Sequence, residues 1–253
     1  IGPGSAAVAA KPGIIAVGAV TAIGDNQGAM LVSINRQTLA EAATRGAFVV
    51  PGLRFEAAGR PLNLEVERFW VTQPTTRFVT GGPTGDSPLA FDPDSVVLLR
   101  GRVAGYPSSH LYIAVADSMV NGFIDLGPGF PSYGVSSRGR DQVPLPPGQA
   151  MVFAAAGSAG PNPSPFCELR RIHAETGPAD AEPKKGLRQL QIAIETDNEF
   201  FQVLGNSTAA AAYIVQLYGA VSDIYMREIN VRVDISYSRI WPLPNEPFAP
   251  GLD

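Results

Sequence analysis

Between Leu190 and Tyr237 the spacing of apolar positions changes period twice. Leu190, Ile192 and Ile194 alternate with Gln191, Ala193 and Glu195, the period of two of a strand with one face covered. Tyr213, Ile214, Leu217, Val221, Ile224 and Tyr225 then recur at steps of three and four, which predicts a helix from about Thr208 to Arg227 with one apolar stripe. Ser207 or Thr208 is placed to cap it through a hydroxyl that accepts from a free N–H of the first turn. Ile229, Val231, Val233, Ile235 and Tyr237 return to a period of two. Strand, helix, strand predicts a right-handed crossover between parallel strands, the opening of an α/β layer.

The earlier chain carries shorter signals. Apolar runs at Ile14 to Val20, Met30 to Ile34 and Phe48 to Val50 predict strands, with a short helical turn over Thr38 to Thr44. Leu62, Leu64 and Val66 alternate with Asn63, Glu65 and Glu67, a half-buried strand. Thr80 to Pro88, with Gly81, Gly82 and Gly85, reads as a loop. In SVVLLRGRVAGYPSSHLYIAVADSMVNGFIDL two apolar strands flank a turn at Gly105 to Ser108, Gly101 suggests a bulge, and Asn121–Gly122 suggests a tight turn before a third strand. From Gly127 to Gly186 the texture becomes Pro, Gly, Ser and Ala, broken by Met151 to Ala155, and 174–186 reads as an exposed linker. The expected organisation is α+β: an antiparallel β-rich domain over 1–173, the linker, and a β-α-β unit within 187–253.

Composition narrows the class. The 253 residues carry a net charge of -4, with only 17 % charged side chains, 27 Gly and 23 Pro. No basic footprint exists for nucleic acid, and short strands joined by many turns fit this usage. No apolar run reaches the roughly 18 to 20 residues of a membrane span. Cys167 is the one cysteine, so no internal disulfide framework exists. The first residue is Ile1 and no secretory leader is visible, which suggests a processed or truncated start to an extracellular protein.

Two stretches point to one family. VVLLRGRVAGYPSSHLYIAVADSMVNGFIDL, through Arg100, Gly101, Val103, Gly105, Pro107, Ser109 and Gly122, resembles the propeptide domain of reprolysin-like (adamalysin-like) metzincin metallopeptidases. Residues 189–241, through Ile224, Tyr225, Arg227, Ile229, Asn230, Val231, Ile240 and Trp241, resemble the start of that family's catalytic domain. The resemblance implies a metzincin-type α/β sheet, a Zn²⁺ cofactor in the intact parent, protein or peptide substrates, and a remainder of the catalytic domain as partner. In the parent, zinc-bound water would attack a peptide carbonyl.

The motif H-E-x-x-H-x-x-G-x-x-H, whose imidazoles and glutamate hold zinc and activate its water, is absent. Only His110 and His173 are present. The chain by itself is expected to be inactive, the N-terminal portion of a secreted zinc metalloendopeptidase. The resemblance also implies a role for Cys167 as an inhibitory zinc thiolate; a free thiol, or a disulfide to a part outside this chain, are the other readings. Family calcium binding would fall near Gln191, which is no carboxylate; Asp197 and Glu199 follow the strand and suit a turn.

The remaining chemistry-bearing residues have plainer readings. No G-x-S-x-G elbow accompanies His110, which reads as a strand-edge surface residue, and His173 beside Arg170 and Arg171 reads as exposed. Asn206, Ser207 and Thr208 form a glycosylation sequon. Phe200, Phe201, Tyr213, Tyr218, Tyr225 and Trp241 read as packing. Two further classes stay open: a non-enzymatic secreted β-rich binding or adhesion module, and a hydrolase working through a carboxylate pair.

Overall fold

The computed structural model describes residues 15–26, 29–54, 61–117, 119–138, 143–155 and 186–244. Among the described residues twelve strands precede residue 156: β1 (Ile15–Ala16), β2 (Val20–Asn26), β3 (Ala29–Ile34), β4 (Phe48–Arg54), β5 (Pro61–Phe69), β6 (Thr72–Thr80), β7 (Ser87–Pro88), β8 (Val97–Val103), β9 (His110–Val115), β10 (Val120–Asp125), β11 (Ser132–Ser136) and β12 (Gln149–Ala154). Helix α1 (Arg36–Ala43) lies between β3 and β4. After the 156–185 segment come β13 (Arg188–Glu195), α2 (Asn198–Leu204), α3 (Ser207–Ile229) and β14 (Val231–Ile240).

Ten strands form one curled sheet in the order β1-β4-β5-β8-β9-β10-β11-β12-β3-β2, antiparallel except for the β1–β4 pair. It curls until β2, at one end, lies alongside β4 near the other. Its concave face is filled by aliphatic side chains, among them Val32, Leu64, Leu99, Leu111, Ile124 and Val152, with Leu39 of α1 packed among them. The space left inside is about 30 Å³ and lined by aliphatic residues. A void of one-water size without polar partners is packing, not a ligand chamber.

The central strands are covered on both faces. On β8, Val97 and Leu99 enter the concave core while Leu98 enters a second core; on β9, Leu111 and Val115 go one way and Tyr112 and Ala114 the other. A strand with two covered faces needs no polar alternation, which accounts for the nearly continuous apolar runs VVLL and LYIAVA.

The second core is roofed by α3, and a smaller sheet packs beyond it in the order β13-β14-β6-β7. Here β13 and β6 both run parallel to β14. Helix α3 bridges the layers because small residues let it approach. A β-carbon at Gly219 would lie 2.5 Å from the Tyr112 hydroxyl and 3.0 Å from Leu98 Cδ1. The helix starts at its N-cap Asn206, whose side chain accepts from Ala209 N at 2.8 Å, and stops at Asn230 in the left-handed region, φ 57°.

The expected α+β class is overturned: the protein is mostly β. The β-α-β unit does not open a metzincin-type α/β sheet of its own, because β14 has β6, from residues 72–80, as its other neighbour. The small sheet therefore takes two strands from each side of 174–186. Strand β6 belongs to the small sheet alone and pairs there with β14, a pairing between residues more than 150 apart that local periodicity does not encode.

Other local readings change as well. Asn121 and Gly122 lie inside β10, and the reversal comes earlier, where Ala116 N–H donates to Met119 O at 2.8 Å. Gly101 pairs in unbroken register within β8 and makes no bulge. Both glycines allow close strand approach, since a β-carbon at 101 would fall 1.9 Å from Glu65 O and one at 122, 2.3 Å from Tyr112 O. The predicted stripe on α3 is shifted: Leu217 and Tyr225 are exposed, and the buried positions are Ala210, Ala211, Ala212, Ile214, Val215, Gln216, Gly219, Ser222 and Asp223. Ile229 ends the helix instead of starting the strand.

Candidate functional site

Polar side chains gather in two places, one buried beneath α3 and one on the outer face of the small sheet. Under the helix, Gln216, Gly219 and Asp223 recur at steps of three and four and so face β9 and β10 together. His110, the first residue of β9, sets Nε2 2.6 Å from Asp223 Oδ2, and Asp223 is only 3 % exposed. Phe123 lies against the imidazole with ring centroids 5.6 Å apart. Two turns back along α3, the Tyr112 hydroxyl donates to the Gln216 main-chain carbonyl oxygen. The Gln216 side chain accepts from Asn121 Nδ2 at 2.6 Å and donates to Met119 O at 3.1 Å. Burial pushes the Tyr112 phenol well above its ordinary range, and the Asp223 carboxylate adds to the shift. The phenol therefore serves as a fixed donor. On the helix's other side Ser222 accepts from Val233 N at 3.0 Å, tying α3 to β14.

The outer cluster centres on Arg239. Its Nε lies 2.8 Å from Asp86 Oδ1, and its terminal nitrogens donate to Asp86 Oδ2 at 2.9 Å and Glu195 Oε1 at 3.0 Å. Tyr237 donates to Asp86 at 2.6 Å, and the Trp241 indole N–H donates to Glu195 at 2.8 Å. The hydrogen bond from Arg239 holds the Asp86 carboxyl below its usual range, with Tyr237 second. For Glu195 the Trp241 bond is the larger cause of a downward shift, and Arg239 the lesser. Both carboxylates raise Arg239. Trp241 is seated over Gly81, where a β-carbon would meet its ring at 2.7 Å. Nearby, buried Asp234 accepts from Gln73, Gln189 and Arg232 and so joins three strands.

These groups lock elements together. Every carboxylate named is met by a donor, and none stands beside a second free carboxylate in the arrangement acid–base hydrolysis requires.

The residues singled out in the sequence fall as follows. His110 is not a surface residue of a sheet edge: β9 is flanked by β8 and β10, and the imidazole is half-buried against α3. Asp197 caps α2, accepting from Phe200 N at 2.8 Å, and Glu199 is exposed in its first turn. Gln191 lies exposed on β13. Asn206, not Ser207 or Thr208, caps α3. Phe200 and Tyr213 pack edge to face at 5.7 Å, while Tyr225 is exposed. Cys167 and His173 lie outside the described residues, so the thiolate reading stays an expectation. Asp223 and Gln216 were missed; their signal was a polar residue recurring at helical spacing beside Gly219.

Zinc does not fit the residues in view. Among the described residues no three His, Cys, Asp or Glu side chains converge to hold a metal ion. His110 is engaged by Asp223, Asp86 and Glu195 are held by Arg239 with Tyr237 and Trp241, and Asp234 is held by Gln73, Gln189 and Arg232. Among the described residues no helix is long and apolar enough to cross a membrane. No protein-family model matches the chain, and no curated protein matches it.

Proposed function

We propose that the chain is the non-catalytic N-terminal portion of a secreted zinc-dependent metalloendopeptidase. One observation carries the reading beyond sequence. The two stretches that resemble the family's propeptide and catalytic start pack against each other: Leu98, Tyr112 and Ala114 from the first share a core with Ile214, Ile235 and Ile240 from the second. A propeptide that chaperones and covers its enzyme needs such a contact. The chain contributes framework to this activity, and the chemistry belongs to residues outside it.

The test is to extend the reading frame beyond Asp253 and express the longer polypeptide. It should carry H-E-x-x-H-x-x-G-x-x-H and cleave a denatured protein in a chelator-sensitive way, whereas residues 1–253 alone should cleave nothing. A continuation without that motif overturns the reading.

A non-enzymatic β-rich binding module is the second reading. It is favoured by β14, which is paired on both sides, by β13 and by β6, so that the small sheet is completed by strands of this chain.

A further inference from the structure

We propose that residues 1–155 and 186–253 are a noncovalent pair: the first piece folds alone and is the template on which the second folds, so that cutting the chain within 156–185 releases neither. The inference rests on how the cores are shared and holds with or without the peptidase reading. Under that reading, cutting alone leaves the catalytic start covered, and release is a separate step. The two cores divide unequally. Among the described residues, the concave core of the large sheet is built wholly from positions between Val17 and Val152. A piece ending at 155 keeps all ten strands of that sheet and all of that core. Strands β13 and β14 and helix α3 have no such reserve. Among the described residues no core draws on positions after 185 alone; Ile214, Ile235 and Ile240 share theirs with Phe78, Leu98 and Tyr112 of the first piece. Two parallel strands and a helix bury too little apolar surface to offset the entropy of ordering them.

The seam between the pieces fits in one register. Strand β14 pairs with β6 through Ile235 with Thr72 and then through Tyr237 with Arg77, so Ser236 on one strand and 73–76 on the other lie outside the ladder. Thr76 closes the gap: its hydroxyl accepts from Gln73 N at 2.8 Å and donates to Ile235 O at 2.6 Å. The Gln73 side chain donates to Asp234 at 3.2 Å. Facing bulges of unequal length match in this register and in no slipped one. Other ties cross the same seam. Ile235 N–H donates to Val71 O at 2.7 Å and Gly81 N–H to Ile240 O at 2.8 Å, while beneath α3 Asp223 meets His110 and Gln216 meets Asn121. None of these contacts uses a residue of 156–185, so each survives a cut there.

The test inserts a site-specific protease sequence within 156–185 of the full chain, cuts it, and applies the product to a sizing column at about 1 μM, where a nanomolar complex stays intact. The pieces should elute together at the position of the uncut protein. Co-expression of the two pieces as separate chains makes the same test without an inserted sequence. After separation in urea and return to buffer, the 1–155 piece should regain a β-type far-ultraviolet circular dichroism spectrum with cooperative unfolding. The 186–253 piece should be unfolded alone and gain helix when the first is added. In the cut protein, Thr76→Val should speed exchange of a labelled first piece by about threefold to tenfold, the size of one or two hydrogen bonds. Separation of the pieces on cutting, an unfolded 1–155 piece, full helix in 186–253 alone, or an unchanged exchange rate in Thr76→Val would overturn the proposal.

Discussion

Gly219 of α3 stands against the hydroxyl of Tyr112 on β9, so close that a β-carbon on the helix would lie 2.5 Å from that oxygen. The contact sets the spacing between helix and large sheet, and with it the position of every polar pair beneath α3. Gly219→Ala gains about 1 kcal/mol of helix propensity, but it overpacks a site where Tyr112 is fully buried. A net loss of about 1 to 2 kcal/mol in urea unfolding is expected. An unchanged or raised midpoint would mean that the layers separate freely.

His110 and Asp223 form the second tie. His110→Ala leaves a nearly sealed carboxylate without its imidazole partner, which should cost about 2 to 3 kcal/mol. Asp223→Asn, which keeps a hydrogen-bond acceptor, should cost less. A double-mutant cycle over the pair checks this, since coupling near zero would show that the contact contributes nothing.

The Arg239 cluster predicts how the protein responds to acid. Asp86 and Glu195 are held below their ordinary values in the folded state. The unfolded chain therefore binds protons first as pH falls, and the contribution of these carboxylates is present above about pH 4 and lost below it. Arg239→Gln should flatten the acid limb of a stability-against-pH curve. An identical acid limb in that variant would contradict the assignment.

Asn230 ends α3 with φ 57°, a conformation that asparagine tolerates and glycine prefers. Asn230→Ala should lower stability by about 1 kcal/mol, whereas Asn230→Gly should be neutral or slightly stabilising. Thermal denaturation of the two variants gives the comparison, and equal losses would exclude a backbone origin.

The sequence made local order legible wherever one face of an element is covered. Leu62, Leu64 and Val66 alternate and are buried as expected, and the periods around β13, α3 and β14 identify the type of each element. It failed where an element is covered on two faces. On α3 the residues packed between the layers include Ile214 and Val215 but otherwise Ala211, Gln216, Gly219, Ser222 and Asp223, too small or too polar to continue an apolar stripe, while large Leu217 and Tyr225 face outward. The pairing of β6 with β14 was illegible for another reason: strand periodicity gives a face but no partner. His110 looked unremarkable because its partner Asp223 lies 113 residues away.

The central claim is that strands on both sides of residues 156–185 share one folded unit built around α3. Native-state hydrogen exchange tests it most directly, because local openings appear as amides that exchange at lower free energy than global unfolding. The account predicts that amides of Val233 to Ser238 on β14 are protected as strongly as those of Leu98 to Arg100 on β8, and that Gly219→Ala lowers both sets together. Exchange of β14 through a separate, lower-energy opening, with β8 unaffected, would contradict it.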